Sequence, residues 1–429
     1  MKKLLATLGL GFLPFILFAQ AGHIMQGIGA VNMSMGGAAT AQPVDINGAL
    51  QWNPAAISAF DSRILSVNAG LFFSSPVLYS TVPTPGGPMS GMTKDDRGVS
   101  VMPALAMVWG KKNSKHTFGL SAFGISGFGV TFPESNSNPV NMPQSQGGFG
   151  RIQSDYQLLQ VGVTYAYKIS EQFSIGLAPT FNYATLKLAP NPLSSPNPAL
   201  GYPVSDKGKA VGMGGQFGVF YNSGKGIKLG ASYKTPQNFS SFDFENTYLD
   251  GSKAPNVKFK MNYPGILSAG IGYSKNKIDV AVDYRFVNYK NTAGFRDKGW
   301  TNTASVAGFG WKDVSIISAG MQFKGINKFP VRVGYTYSSN PISSELAFFS
   351  IPATAVIKNA FQAGFGYEFN SRFNLNMVYH HGTSSGSTSG PLLSPMLKSP
   401  NNVYGAVPGS NVSYKMTTDM VMIGMNYSF

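Results

Sequence analysis

From residue 63 to the C-terminus the chain repeats one pattern, long runs in which every second residue is apolar. Phe173, Ile175, Leu177, Pro179, Phe181 and Tyr183 share one face of such a run, and Ser174, Gly176, Ala178, Thr180, Asn182 and Ala184 share the other. The same alternation carries Leu159, Val161, Val163, Tyr165 and Tyr167, and again Ile278, Val280, Val282, Tyr284 and Phe286. A period of two means strands with unlike faces, because successive side chains leave a pleated strand on opposite sides. Fourteen runs are readable: 63–78, 97–111, 115–132, 151–169, 172–188, 208–223, 225–236, 257–275, 276–291, 311–324, 329–342, 359–370, 372–383 and 413–429. Alternation alone would also suit a soluble β-sandwich. Run length argues against one, since many of these runs exceed the roughly 5–6 residues of a sandwich strand.

The connections carry a second regularity. Short turns such as Lys112-Asn113-Ser114, Asn222-Ser223-Gly224 and Asn370-Ser371 follow even-numbered runs, whereas long Pro/Ser/Gly-rich loops (133–150, 190–207, 384–408) follow odd-numbered ones. Short turns on one side, long loops on the other and an even strand number describe an outer-membrane barrel. Tyr and Phe gather near run ends, as aromatic girdles would, and the chain closes on Phe429. The fold expected is therefore all-β, a transmembrane antiparallel β-barrel of about fourteen strands. Composition agrees. Only 12% of residues are charged, about half the usual proportion, while aromatics reach 13%.

The N-terminus supplies an address. Lys2 and Lys3 precede an apolar stretch at 4–18, and Ala19-Gln20-Ala21 offers small residues for cleavage after Ala19 or Ala21. Residues 1–21 thus read as a secretory signal peptide. No later uncharged apolar run reaches the ~18 residues of a membrane helix. The chain has no cysteine, which excludes a disulfide scaffold, a lipid anchor on Cys, a Cys nucleophile and Cys-ligated zinc.

Residues 22–62 break the alternation. Small residues dominate, yet Ile24, Met25, Ile28, Met33, Met35, Leu50, Trp52 and Ile57 are too apolar for a solvated tail. A barrel of about fourteen strands encloses more space than its own side chains fill. The segment is therefore expected as a plug in the lumen, and 63–429 as the barrel around it.

With these features the chain resembles the FadL/TodX family of outer-membrane transporters for long-chain fatty acids and aromatic hydrocarbons. The motifs that carry the resemblance are Gly22, Gly27-x-Gly29 and Ser34-x-Gly36-Gly37-Ala38, with Asn53-Pro54-Ala55 just before the first strand. Trp311-Lys312-Asp313, Arg332-Val333-Gly334-Tyr335-x-Tyr337 and Asn340-Pro341 follow in order. The resemblance implies that the N-terminal segment is a hatch, and that an inward kink in the third strand opens the wall where the Asn53-Pro54-Ala55 stretch lies. Apolar substrate would be caught by outer loops, bound in the lumen and released sideways into the bilayer.

Candidate site residues follow from this scheme. In the third run Gly124, Gly127 and Gly129 could mark a kink, because glycine inside a strand weakens it. With Gly36, Gly37, Asn53, Pro54 and Ala55 they form the hatch and gate set. Three outer loops are unusually apolar: one holds Phe239, Phe242, Phe244, Tyr248 and Leu249, another Leu346, Phe348, Phe349 and Ile351, a third Leu392, Leu393, Met396 and Leu397. Apolar clusters of this kind mark binding surfaces, or else pack the extracellular cap. Phe242, Phe244, Phe348 and Phe349 are the capture candidates. Alternation places Arg332 on the polar face, where a lumenal cation would meet a carboxylate. Arg285 and Lys187 are further candidates, although Asp283 beside Arg285 favours a structural ion pair.

Neither an enzyme nor a cofactor protein is expected. His380, His381, Ser384 and Ser385 lie together, but neighbouring histidines on a strand face opposite ways and share no metal easily. Gly270/Gly272 and Gly364/Gly366 lack the third glycine of a dinucleotide loop, and no catalytic, metal or cofactor residue is assigned. The net charge of +15 comes from scattered lysines and arginines, without the clustered stripe of a nucleic-acid binder. The partners expected are a hydrophobic small molecule, outer-membrane lipid and lipopolysaccharide, and the outer-membrane assembly machinery, with the chain a monomer. Within the barrel class a general porin or a surface adhesin or receptor is the alternative.

Overall fold

The computed structural model of the chain describes residues 23–429, so the signal peptide expected at 1–21 lies outside the described residues. Fourteen antiparallel strands follow one another around a ring: β1 Arg63–Thr84, β2 Val99–Trp109, β3 His116–Phe132, β4 Ile152–Lys168, β5 Phe173–Ala189, β6 Gly208–Asn222, β7 Ile227–Lys234, β8 Gly265–Lys275, β9 Ile278–Asn288, β10 Val314–Phe323, β11 Val331–Ser338, β12 Asn359–Glu368, β13 Phe373–Thr383 and β14 Asn411–Ser428. Each pairs with its neighbours in sequence, and β1 pairs with β14 from Ile64↔Ser428 to Thr81↔Asn411, which closes the barrel. Closure leaves no free edge, the condition for crossing a bilayer with strands. No described helix is long and apolar enough to cross one.

The alternation read from sequence becomes two surfaces. Phe173, Ile175, Leu177, Phe181 and Tyr183 are exposed on the outer wall, while Ala178, Thr180, Asn182 and Ala184 are buried in the lumen. Strand ends differ from expectation in two places. The first strand does not stop near residue 78 but continues to Thr84 and folds back on Gly87–Lys94, a hairpin standing above the barrel. The run 257–275 is two elements. Lys253–Phe259 pairs with Phe242–Thr247 in a three-stranded external sheet, and barrel pairing starts at Gly265, after Pro264, which has no N–H to contribute to a ladder.

The N-terminal segment is buried against lumenal faces all round the ring. It comprises helices α1 (Gly29–Ser34) and α2 (Ile46–Trp52) and a 3₁₀ turn at Pro54–Ala59. Asp45 caps α2 by accepting from the Gly48 amide at 3.1 Å. Lumenal glycines permit its close fit. A Cβ at Gly218 would stand 2.0 Å from Asn53 Oδ1, and one at Gly334 2.1 Å from the Gly36 amide nitrogen. The strongest tie is Asp283. Its Oδ2 accepts from the Ala39 and Thr40 amides (2.8 and 2.9 Å), the Thr40 hydroxyl (2.8 Å) and Arg285 (2.7 Å). Arg285 also donates to the Gly37 carbonyl and lies 3.8 Å from the Trp52 ring centroid.

Candidate functional site

The wall parts between β2 and β3. Their pairing runs from Trp109↔Phe118 to Ala104↔Phe123 and stops there. The next residue of β2 is Pro103, without an N–H; on β3, the register with β4 slips between Gly124 and Ser126, a bulge at Ile125. Residues 99–103 of β2 keep their pairing with β1, and residues 126–132 of β3 keep theirs with β4, so the gap belongs to this seam alone. Above it the seam is tied again. The Asp96 amide donates to the Thr131 carbonyl at 2.8 Å, and Arg97 reaches Asp155 at 3.1 Å. The result is a window, flanked by the exposed Val99 and Val101.

The orphaned edge of β3 is taken up by residues 23–25. Ile24 bridges Ser126, the Met25 amide donates to the Ile125 carbonyl (3.1 Å), and the Gly127 amide and Ser126 hydroxyl donate to the His23 carbonyl (3.2 and 2.9 Å). His23 itself sits among rings. It stacks on Phe295 at 4.9 Å, is flanked by Tyr156, Tyr263 and Trp311, and shares a 2.9 Å hydrogen bond with the Tyr289 hydroxyl. Burial lowers its pKa from 6.5 to about 3, which keeps the imidazole neutral.

Behind the window lies a cavity of about 380 Å³, lined chiefly by apolar groups such as Met25, Phe72, Met102, Pro103, Leu158 and Met416. Arg97 is its one charged lining residue among the described residues, and Gly129 makes room for it, since a Cβ there would meet the guanidinium carbon at 2.5 Å. Asp155 also pairs with Lys207 at 2.9 Å, so two cations share one carboxylate. A second, smaller cavity of about 50 Å³ lies among the outer loops, walled by Phe149, Tyr202, Trp300, Phe348, Phe349 and Pro352.

The residues singled out from sequence fall in different places. Gly124, Gly127 and Gly129 line the window cavity, and Phe348 and Phe349 the outer one. Asn53, Pro54 and Ala55 are not at the opening, contrary to what the resemblance implied. They lie against β5 and β6, where Gly176 and Gly218 leave a recess and Asn53 Nδ2 donates to the carbonyls of Thr40 (2.8 Å) and Val219 (2.9 Å). Residues 23–25 take that place instead. Gly36 and Gly37, at φ +67° and +76°, lie across the barrel: Gly36 against β10 and β11, and Gly37 bonded through its carbonyl to Arg285 of β9. Phe242 and Phe244 are fully buried, stacked on each other at 6.2 Å beside the barrel wall. Arg332 faces the lumen at the short-turn end, satisfied by Gln322 (2.6 Å) and Asn376 (3.0 Å), and lines neither cavity. Lys187 is on the other surface, opposite Asp155 and in line with Phe181 and Tyr183 on the lipid-facing side. His380 turns inward toward Gln362, and His381 outward to Asp419.

The whole of this architecture has a family counterpart. The family described as outer membrane protein transport protein (OMPP1/FadL/TodX) matches residues 18–429. The chain belongs to this family. It is an outer-membrane β-barrel of the FadL/TodX kind, a transport protein by family. Its fold is that of the Pseudomonas putida toluene transporter TodX (TM-score 0.69, 18% identity, 94% of this chain and 99% of that one covered). A Pseudomonas aeruginosa FadL homologue (0.72, 13%, 95% and 99%) and the Ralstonia pickettii toluene transporter TbuX (0.64, 17%, 94% and 99%) share it. No match is found among curated proteins. Of the residues lining the two cavities, sequence reasoning missed Arg97, Pro103, His23 and Trp300. Pro103 carried a readable signal, a proline inside a predicted strand facing the glycines of the next.

Proposed function

We propose that the protein carries hydrophobic small molecules, long-chain fatty acids or aromatic hydrocarbons, passively across the outer membrane, without catalysis. The aromatic outer pocket captures the molecule, the window cavity binds it, and it leaves sideways between β2 and β3 into the bilayer. The observation that carries this reading is the apolar cavity behind a break in the wall flanked by lipid-exposed Val99 and Val101. A molecule held there meets hydrocarbon rather than the aqueous periplasm, so the path needs no energy source. The relatives described as toluene transporters support an apolar cargo. The N-terminal segment acts as the hatch: with the lumen filled, the barrel does not offer the aqueous channel of a general porin.

Two variants test the two ends of the route. Phe348→Ala with Phe349→Ala removes rings from the outer pocket and is expected to lower uptake of a labelled hydrophobe while the barrel still assembles; unchanged uptake would count against capture there. Because the chain has no cysteine, Pro103→Cys with Gly124→Cys can be cross-linked across the window without interference. Uptake should fall on cross-linking and recover on reduction, and an indifferent rate would exclude lateral exit at this seam.

A further inference from the structure

We propose that the backbone at residues 352–355 is the partition between the two cavities, and that Ala355 and the Ser154–Pro352 hydrogen bond set the largest molecule that can pass from the outer pocket to the window. The proposal rests on the transport reading above and adds to it a determinant of size. The loop at 339–358 lends Phe348, Phe349, Ile351 and Pro352 to the outer pocket, and Thr354 and Ala355 to the window cavity. The change of side takes two residues, so the wall between the cavities is one chain thick, with about 7 Å between the flanking Cα atoms at full extension.

β4 crosses the same boundary. Its Ile152 lines the outer pocket and its Tyr156 the window cavity, with Ser154 between them. The Ser154 hydroxyl donates to the Pro352 carbonyl and accepts from the Val130 amide at 3.2 Å. One hydroxyl therefore pins the partition to both β4 and the kinked β3. The front of the loop is held separately, by Tyr414 donating to the Ala347 carbonyl (2.9 Å) and the Trp311 indole to Ser350 (3.0 Å). Behind the pin the Thr354 hydroxyl lies on the Met416 sulfur at 3.9 Å, and Lys358 beyond is anchored to β13 and β11. Among the described residues the backbone of 353–357 bonds only within itself, Ala355 to the Ala353 carbonyl (2.7 Å) and Val356 to that of Thr354 (2.9 Å). Those are tight three-residue turns, which a small rotation can open. Ala353, Thr354 and Ala355 are all small. A front fixed by aromatic side chains, one pin and a slim rear half make a valve whose aperture depends on side-chain volume at 355.

The test compares uptake of naphthalene and of the larger pyrene by cells with a lipopolysaccharide-bearing outer membrane, alongside pyrene binding to the purified full-length protein. Ala355→Phe is expected to reduce pyrene uptake by about tenfold relative to naphthalene while the outer pocket still binds pyrene. Ser154→Ala adds no volume and removes the pin, and should raise pyrene uptake relative to naphthalene by about threefold, the factor of a hydrogen bond of ordinary net strength. An unchanged pyrene-to-naphthalene ratio in Ser154→Ala, or in a folded Ala355→Phe, overturns the partition while leaving transport intact. A wild-type protein that takes up neither compound faster than cells lacking it would overturn the transport reading and the partition with it.

Discussion

At the scale of single residues, buried charge organises the interior. Asp283 accepts four hydrogen bonds at one oxygen, three of them from the N-terminal segment. Asp283→Asn would leave Arg285 a buried cation without its counter-charge, a loss of about 3–5 kcal/mol for pairs of this kind. Faster hydrogen exchange at Ala39 and Thr40 would report it, and unaltered exchange would remove Asp283 from the tether. His23 gives a pH dependence with a defined sign. Its folded pKa, about 3, lies below the ordinary 6.5, so its contribution is intact above pH 6.5 and declines as pH falls toward 3. By pH ~4.5 the seating of residues 23–25 on β3 should be weaker by roughly a hundredfold. Exchange at the Gly127 amide measures this, and His23→Phe should abolish the trend. Residue roles were the least legible part of the sequence. Alternation gives the face of a side chain but not its height in the barrel: Arg332 faces the lumen yet lines neither cavity, while Arg97 lines the window. For Lys187 the same alternation points outward, in phase with Tyr183, so it is not a lumenal cation.

Elements were read more securely, because each is set by its own local pattern. All fourteen strands and the alternation of short and long connections were visible from 63 onward, since a lipid-facing wall forces apolar residues at every second position. What stayed hidden were the parts built by tertiary contact. The break between β2 and β3 needs a proline on one strand and glycines on the next, and only the glycines form a cluster that stands out in the sequence. The N-terminal stretch that covers the break is a single bridge with few bonds, too short to leave a periodic signature. Gly129→Val tests the seam at this scale. Its side chain would displace the Arg97 guanidinium and crowd the Ser154 backbone carbonyl, which a Cβ would meet at 2.7 Å. The tie to Asp155 then breaks and the window enlarges upward, so uptake of bulky hydrophobes should rise and no longer respond to Asp155→Asn. If Asp155→Asn acts equally in both backgrounds, Arg97 does not close the seam through that bond.

For the whole molecule, composition and architecture explain each other. Charge is scarce because one face of every strand meets hydrocarbon, and glycine is abundant partly because a polypeptide segment is packed against the other face. Deleting residues 23–60 should convert the barrel into an open conduit, seen as a large ohmic conductance in planar bilayers where the intact protein gives little; equal conductances would mean that the segment does not obstruct the lumen. The way the window is covered carries a further consequence. A backbone amide or carbonyl facing hydrocarbon without a partner costs several kcal/mol, and residues 23–25 supply the partners for Ile125 and Gly127. Any departure of that segment must therefore be an exchange of bonds and not a simple loss, with water the available substitute. If the wall opens here, the open state would be a small hydrated flaw in the membrane, its lifetime set by how readily water gives the edge of β3 back to residues 23–25.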